Sequence, residues 1–236
     1  MEQKNTMPDA VILCGGLGSR LRPVVSDKPK VLADVGGKPF LDFLLNSLFE
    51  KNFSRIILAA GYLSNQLVEH YRDDPRILFS LETSPLGTGG ALKNAEPLIT
   101  TDHVFVANGD SMIKFDYQEA FQFHKEKGGA ISLVVTRSDG RDDVGSVVCD
   151  ESMRVVSFSE KNNSFPAEKR FVNCGAYFMD RRALEYLPAE KPISLEHDIF
   201  PAVARDGLCW GFLTDGHLLD IGTPDRYESA GNYLET

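Results

Sequence analysis

Residues Leu13 to Lys30 read LCGGLGSRLRPVVSDKPK: three glycines, Gly15, Gly16 and Gly18, then four cations, Arg20, Arg22, Lys28 and Lys30. Glycine lets a backbone approach a ligand closely, and successive bare N–H groups form a cradle for anions. Beside such a cradle, a guanidinium grips two phosphate oxygens at once, while an ammonium neutralises charge at a point. A glycine turn with solvated cations has the same composition, so the stretch alone leaves both readings open. Two further residues fit phosphate chemistry. Asp110 closes the segment HVFVANGD and Asp220 the segment HLLD. Read as the carboxyl ends of parallel strands, they fall where open α/β sheets bind ligands. For either aspartate alone, a turn or cap role is the bland reading.

Two familiar phosphate loops are excluded. In G-x-G-x-x-G the third glycine is replaced by Leu21, and RIILAAGY closes on Gly61-Tyr62 rather than an acid. A dinucleotide site needs both, so a dehydrogenase is disfavoured. Walker A fails because Gly37-Lys38 is followed by Pro39.

The elements that must position these residues alternate. AVILC, RIILAAGY, RILFSLE, HVFVANGD and AISLVVT read as buried strands, and the segments between them have helical spacing. Pro39 to Asn52 is one such helix, with Pro39 in its first turn. Strand and helix in alternation predict a mostly parallel sheet with helices on both faces. SVVCDESMRVVSFSEK and RFVNCGAYFMD break the pattern and predict a small antiparallel lobe, an insertion or lid on that sheet. LEHDIFPAVARDG reads as a helix ended by Gly207. WGFLTDGHLLDIG reads as a hairpin turning at Asp215-Gly216, and PDRYESAGNYLE as a closing helix. One domain spanning 1–236 is expected, made of two lobes, 8–136 and 137–236.

The 236 residues carry a net charge of −9, with 42% hydrophobic residues. That balance lacks the broad basic face a nucleic acid requires. A small phosphorylated ligand is still compatible, because screening confines surface charges to about 8 Å at physiological salt. No apolar run precedes Ala10, so no secretory leader is expected, and no segment approaches the roughly 20 apolar residues of a membrane span. Cys14, Cys149, Cys174 and Cys209 form no C-x-x-C pair and are expected as reduced, buried thiols of a cytoplasmic protein.

From LCGGLGSRLRP through PKVLADVGGKPFLDFLL, and on through PLGTGGAL, ANGD, FSEK, NCGAYF and LLDIGTPDRY, the chain resembles the sugar-phosphate nucleotidyltransferases. Within that family, ETSPLGTGGALKNA and GKPFLDFLL most resemble the D-glycero-α-D-manno-heptose 1-phosphate guanylyltransferases. The resemblance implies a Rossmann-like three-layer α/β fold with a mixed, mostly parallel sheet. It implies an Mg2+-dependent reaction joining GTP to a sugar 1-phosphate with release of pyrophosphate. It assigns catalysis to Arg20, Lys30 and Asp110, and the metal to Asp110 and Asp220. Nucleotide binding falls to Leu13, Gly15, Gly16, Gly18, Glu82, Gly87, Thr88, Asn108 and Gly109. Sugar-phosphate binding falls to Gly145, Glu160, Lys161, Asn173 and Gly175. Arg22 and Lys28 are read as solvated.

The resemblance sets Glu82 against the Watson–Crick edge of the base, where it would carry the choice of base. An ionised carboxylate only accepts, and guanine presents two neighbouring donors, N1–H and the N2 amino group. A pyrimidine imide would set carbonyl lone pairs against it, and mispaired buried polar groups cost powers of ten in specificity. GTP is therefore expected, against a solvent-facing Glu82 as the bland alternative. Mannose 1-phosphate guanylyltransfer, a uridylyl or thymidylyl relative, and a catalytically silent nucleotide-binding regulator remain as alternatives, and a homodimer is one assembly open to the chain.

Other positions read as structural. His70 and His124 are expected on helix surfaces, and Ser194 and Glu196 as a helix start. His217 and Trp210 are read as packing residues.

Overall fold

The computed structural model describes residues 6–16, 18–137, 145–159, 170–188 and 192–234. The chain opens on β1 (Asp9–Leu13), a 3-10 turn at Lys30–Leu32, and the short strands β2 (Asp34–Val35) and β3 (Lys38–Pro39), which run into α1 (Phe40–Glu50). There follow β4 (Ile56–Ala60), α2 (Ser64–Tyr71), β5 (Ile77–Leu81), α3 (Gly87–Ala95), β6 (His103–Asn108), β7 (Ser111–Ile113), α4 (Tyr117–Lys127) and β8 (Ile131–Arg137). The second half adds β9 (Ser146–Cys149), β10 (Val155–Ser159), β11 (Arg170–Asp180), α5 (Phe200–Arg205), β12 (Cys209–Thr214), β13 (Leu218–Asp220) and α6 (Pro224–Leu234).

Among the described residues, nine strands form one mixed sheet, with β5, β4, β1, β6 and β11 as neighbours in that order. β11 also pairs with β8, which carries β12, and with β9, which carries β10. Only β10 and β11 run against the other strands, so the sheet is mostly parallel, as expected. Side chains alternate across it. Ala10, Ile12, Ile56, Leu58 and Phe105 pack with Leu41, Leu44, Leu67 and Tyr117 of α1, α2 and α4. Val11, Ile57, Ala59, Val104 and Val106 pack with Ala91 and Leu92 of α3 and with Phe200 and Val203 of α5. Runs of consecutive apolar residues in these strands thus supply two cores and a three-layer fold.

The break that opens the site lies in β11. Residues 176–180 pair with β6, whereas 170–172 pair with β9, while β8 follows the opposite edge. The register shifts between Asn173 and Tyr177, and Gly175 between them has φ +69°. Gly175 suits this left-handed bend because it lacks a Cβ. β6 and β9 therefore part company at Gly175, beside the carboxyl end of β6. A third, smaller core of Leu21, Ala33, Val35, Phe40, Leu219, Ile221 and Ala230 ties the glycine-rich loop to β13 and α6.

Three expectations need correction. The segment 209–220 is no hairpin: β12 pairs in parallel with β8, and β13 pairs antiparallel with β7. Asp220 accordingly ends a two-stranded ribbon rather than a parallel strand. The antiparallel section is built onto the parallel sheet as expected, with β9, β10 and β11 continuing it. His124 is not on the surface: it is 1% exposed, and its Nδ1 lies 2.9 Å from Ser132 Oγ. Pro39 stands immediately before α1 rather than inside its first turn. His70 is exposed, and all four cysteines are buried and free. No helix among the described residues is long and apolar enough to cross a membrane.

Candidate active site

A cavity of about 330 Å³ opens between the carboxyl ends of β1 and β6 and the amino end of α3. Leu13, Gly15, Gly16, Glu82, Gly87, Thr88 and Asn108 all line it. Glu82 follows β5, and its Oε2 accepts the Leu86 N–H at 2.8 Å, which closes the turn before α3. Its other oxygen lies over two glycines. A Cβ on Gly15 would stand 2.2 Å from Oε1, and one on Gly61 would stand 3.2 Å away. Partial burial raises the Glu82 pKa, because a low-dielectric wall disfavours the ionised form. Gly18 and Gly109 do not line the cavity. Gly18, at φ +59°, backs onto the Lys30 stem, and Gly109 donates its N–H to Leu13 O and packs against Cys14 and Val31.

A second, more polar cavity of about 180 Å³ lies where β6 and β9 diverge. Arg20, Gly145, Asn173, Gly175 and Asp220 line it, and it shares Lys30, Asn108 and Asp110 with the first. Asn173 is fixed at both ends of its amide: Nδ2 donates to Tyr177 Oη at 3.0 Å, and Oδ1 accepts the Gly175 N–H at 3.2 Å. Its backbone N–H also donates to Gly145 O. Glu160 and Lys161 lie outside the described residues. Of the four cations that open the sequence, Arg20 and Lys30 line this cavity. Arg22 instead lies over the Tyr62 ring, 5.1 Å from its centroid.

Carboxylates and cations alternate at the junction. Lys30 Nζ lies 2.5 Å from Asp110 Oδ2, and the Lys30 side chain is only 11% exposed. Arg226 Nη1 donates to both oxygens of Asp220 at 3.0 Å, and the Gly222 N–H donates to Oδ1 at 2.9 Å. Ser111 pairs with Asp220 across the β7 and β13 ribbon, and the Ile221 N–H donates to Asp110 O, so the two aspartates stand on adjoining backbone. A Cβ on Gly222 would meet Asp220 Oδ1 at 2.7 Å, Arg20 Nη2 at 3.6 Å and Lys30 Nζ at 3.7 Å. Three charged side chains, those of Arg20, Lys30 and Asp220, thus meet around one glycine. Two carboxylates on adjoining backbone fit a hard cation. No group of three His, Cys, Asp or Glu that would hold a metal gathers among the described residues. The remaining positions would fall to substrate oxygens and water, the usual arrangement for Mg2+.

Two charged lining residues escaped the sequence reading. Glu196 was expected only to start a helix, and Ser194 does cap the turn by accepting the His197 N–H. The Glu196 carboxylate nevertheless lines the second cavity, where its Oε2 accepts from Thr88 Oγ1 at 2.7 Å and Ser194 Oγ at 2.9 Å. Thr88 in turn accepts the Leu195 N–H, so α3 is stitched to this segment. Arg226 sits two residues into α6, where periodicity says nothing of a partner. The one available signal was its spacing six residues after an aspartate already singled out.

Such a site suits chemistry on the phosphates of a nucleotide. The Nucleotidyl transferase family model matches residues 9–236, and the chain belongs to that family. It is 32% identical over 231 residues to the D-glycero-alpha-D-manno-heptose 1-phosphate guanylyltransferase of Aneurinibacillus thermoaerophilus, covering 96% of this chain and 98% of that relative. It is also 32% identical over 225 residues to the mannose-1-phosphate guanylyltransferase of Mycobacterium tuberculosis, covering 93% of this chain but only 62% of that relative's length. The crystal structure of HddC from Yersinia pseudotuberculosis complexed with GMP-PN matches at a TM-score of 0.83 and 32% identity, covering 97% of this chain and 100% of that one.

Proposed function

We propose that this nucleotidyltransferase transfers GMP from GTP to D-glycero-α-D-manno-heptose 1-phosphate, giving GDP-heptose and pyrophosphate. The observation that carries the reading is the pair of adjoining cavities, one bordered by Glu82, the other polar, with Lys30, Asn108 and Asp110 common to both. A donor nucleotide and an acceptor phosphate seated in the two would meet at those shared residues. The guanine reading is supported by Glu82, whose Oε1 is not the oxygen that closes the Leu86 turn, and by the relatives' names. The division of labour, with 8–136 mainly nucleotide-binding and 137–236 mainly sugar-binding, is supported by the first cavity, whose lining comes wholly from residues 13–110.

An oxygen of the sugar phosphate attacks the α-phosphorus as the bond to the bridging oxygen of pyrophosphate breaks, and positioning with charge stabilisation is the protein's task. Lys30 neutralises charge at the α-phosphate, and Arg20 grips the departing pyrophosphate. Asn173 and the backbone at Gly145 and Gly175 orient the sugar. Asp110 and Asp220 would hold Mg2+, which when bound supplies Lewis-acid neutralisation of phosphate charge. Mannose 1-phosphate is the second reading, favoured by the equal identity to the mannose enzyme. A cytoplasmic enzyme is consistent with four free, buried cysteines.

Pyrophosphate release with Mg2+, across GTP, UTP and dTTP and the 1-phosphates of manno-heptose, mannose, glucose and N-acetylglucosamine, tests this. Turnover confined to GTP with the heptose is expected. GTP with mannose alone would retain the base reading and discard the heptose, and turnover with UTP or dTTP would overturn the role given to Glu82.

A further inference from the structure

The contact between Arg226 and Asp220 has no part in the nucleotidyl transfer described above. Its geometry is nonetheless specific: one guanidinium nitrogen bridges both carboxylate oxygens at 3.0 Å each, with side chains 25% and 15% exposed. Asp220 is held further by the Gly222 N–H. Arg226 is itself anchored through α6, which packs Ala230 into the small core with Leu21 and Phe40, and whose Tyr227 Oη donates to Asp34 O. The guanidinium therefore stands at a set place over the carboxylate face that a hard cation would need.

We propose that Arg226 is a positioning residue that competes with the divalent cation for Asp220. In the nucleotide-free protein its guanidinium keeps the carboxylate ordered and its charge compensated. A divalent cation taking Asp220 must displace it, and the displaced guanidinium remains in the cleft with the substrate phosphates. A partly buried carboxylate left bare would bear a desolvation cost, which a resident arginine removes without blocking the cleft. The competition also sets a threshold: the cation binds well only when nucleotide phosphates supply further oxygens, so the site loads metal and nucleotide together. This inference rests on the assignment of Asp220 as a metal ligand.

The test is Mn2+ binding, by electron paramagnetic resonance of free Mn2+ without nucleotide, to the wild-type protein and to Arg226→Gln, Arg226→Lys and Asp220→Asn. Arg226→Gln is expected to bind Mn2+ about tenfold more tightly, the scale of one charge-assisted contact. Arg226→Lys should stay near wild type because the charge is kept. A mere loss of structure would weaken the site, so tighter binding has no such explanation. Unchanged or weaker binding by Arg226→Gln, with Asp220→Asn impaired, overturns the competition while leaving the metal role of Asp220 intact. Asp220→Asn binding as wild type does overturns both. Should Arg226→Gln fail to fold, the unaltered protein decides. Mn2+ must raise the rate at which phenylglyoxal modifies Arg226, read by mass spectrometry, and an unchanged rate overturns the proposal.

Discussion

The Glu82 Oε1 atom occupies the space that a side chain on Gly15 would need, 2.2 Å from where a Cβ would stand. The first glycine of the phosphate loop therefore serves the base side of the cavity as well. Its absent side chain lets a carboxylate from the far end of β5 lie across the end of β1.

Gly15→Ala should displace Glu82 without unfolding the protein, because the atom it meets is the end of a side chain that can swing away. The KM for GTP is expected to rise by about tenfold, the cost of one charged hydrogen-bonding group set out of place, with kcat reduced less. Steady-state kinetics beside a thermal melt separate the two, and an unchanged KM would show that the position of Glu82 does not matter to the donor nucleotide.

Burial raises the Glu82 pKa, so its carboxyl takes a proton at a higher pH than an exposed glutamate does. The protonated form presents an O–H where guanine requires an acceptor. GTP affinity should accordingly fall as pH drops through that raised value, more than the affinity for UTP. Glu82→Gln should lose this pH dependence and gain UTP or dTTP turnover at the expense of GTP. Parallel pH profiles for wild type and variant would contradict the base assignment.

Lys30 faces both the nucleotide and the acceptor sides of the site while bonded to Asp110. Lys30→Met should lower kcat by about 10² to 10³, the usual loss when one preorganised charge stabiliser is removed. Nucleotide binding measured by calorimetry should change far less. A loss confined to KM would assign Lys30 to ground-state binding.

His124 carries a prediction about acid. Burial, reinforced by the neighbouring His103, lowers its pKa from 6.5 to about 4. The folded chain refuses a proton that the unfolded chain accepts, so the contribution is whole above about pH 6.5 and is lost as pH falls toward 4. The slope is about 1.4 kcal/mol per pH unit, on the order of 3 kcal/mol across the window. Urea denaturation at pH 7 and pH 4.5 measures it, and His124→Gln should flatten the difference.

Much of the frame was legible because it is local. The continuous apolar runs of β1, β4 and β6 announce strands buried on both faces, and Gly87 to Ala95 announces a helix. His124 was misread for a physical reason. A polar side chain at a helical position looks solvent-facing until the strand it packs on is known, and here Ser132 of β8 supplies its partner. The hairpin expected at Asp215-Gly216 failed likewise, since turn chemistry specifies a bend but not which strand pairs after it. Glu196 had a sufficient local explanation as the start of a helix, and its partner Thr88 lies 108 residues away.

By itself the sequence determined the alternation of strands and helices, the glycines and cations suited to phosphate, and the choice of glutamate at position 82. Those properties are carried by neighbouring residues, whose periodicity and chemistry can be read in place. Only the tertiary structure decided that β6 and β9 fork from one edge of β11, that Asp220 sits on a ribbon beside Asp110, and that Lys30 and Arg226 each cover one carboxylate. Opposite charges find their partners through long-range pairing and the packing of a small core beneath them, and no local pattern encodes which segments that core will gather.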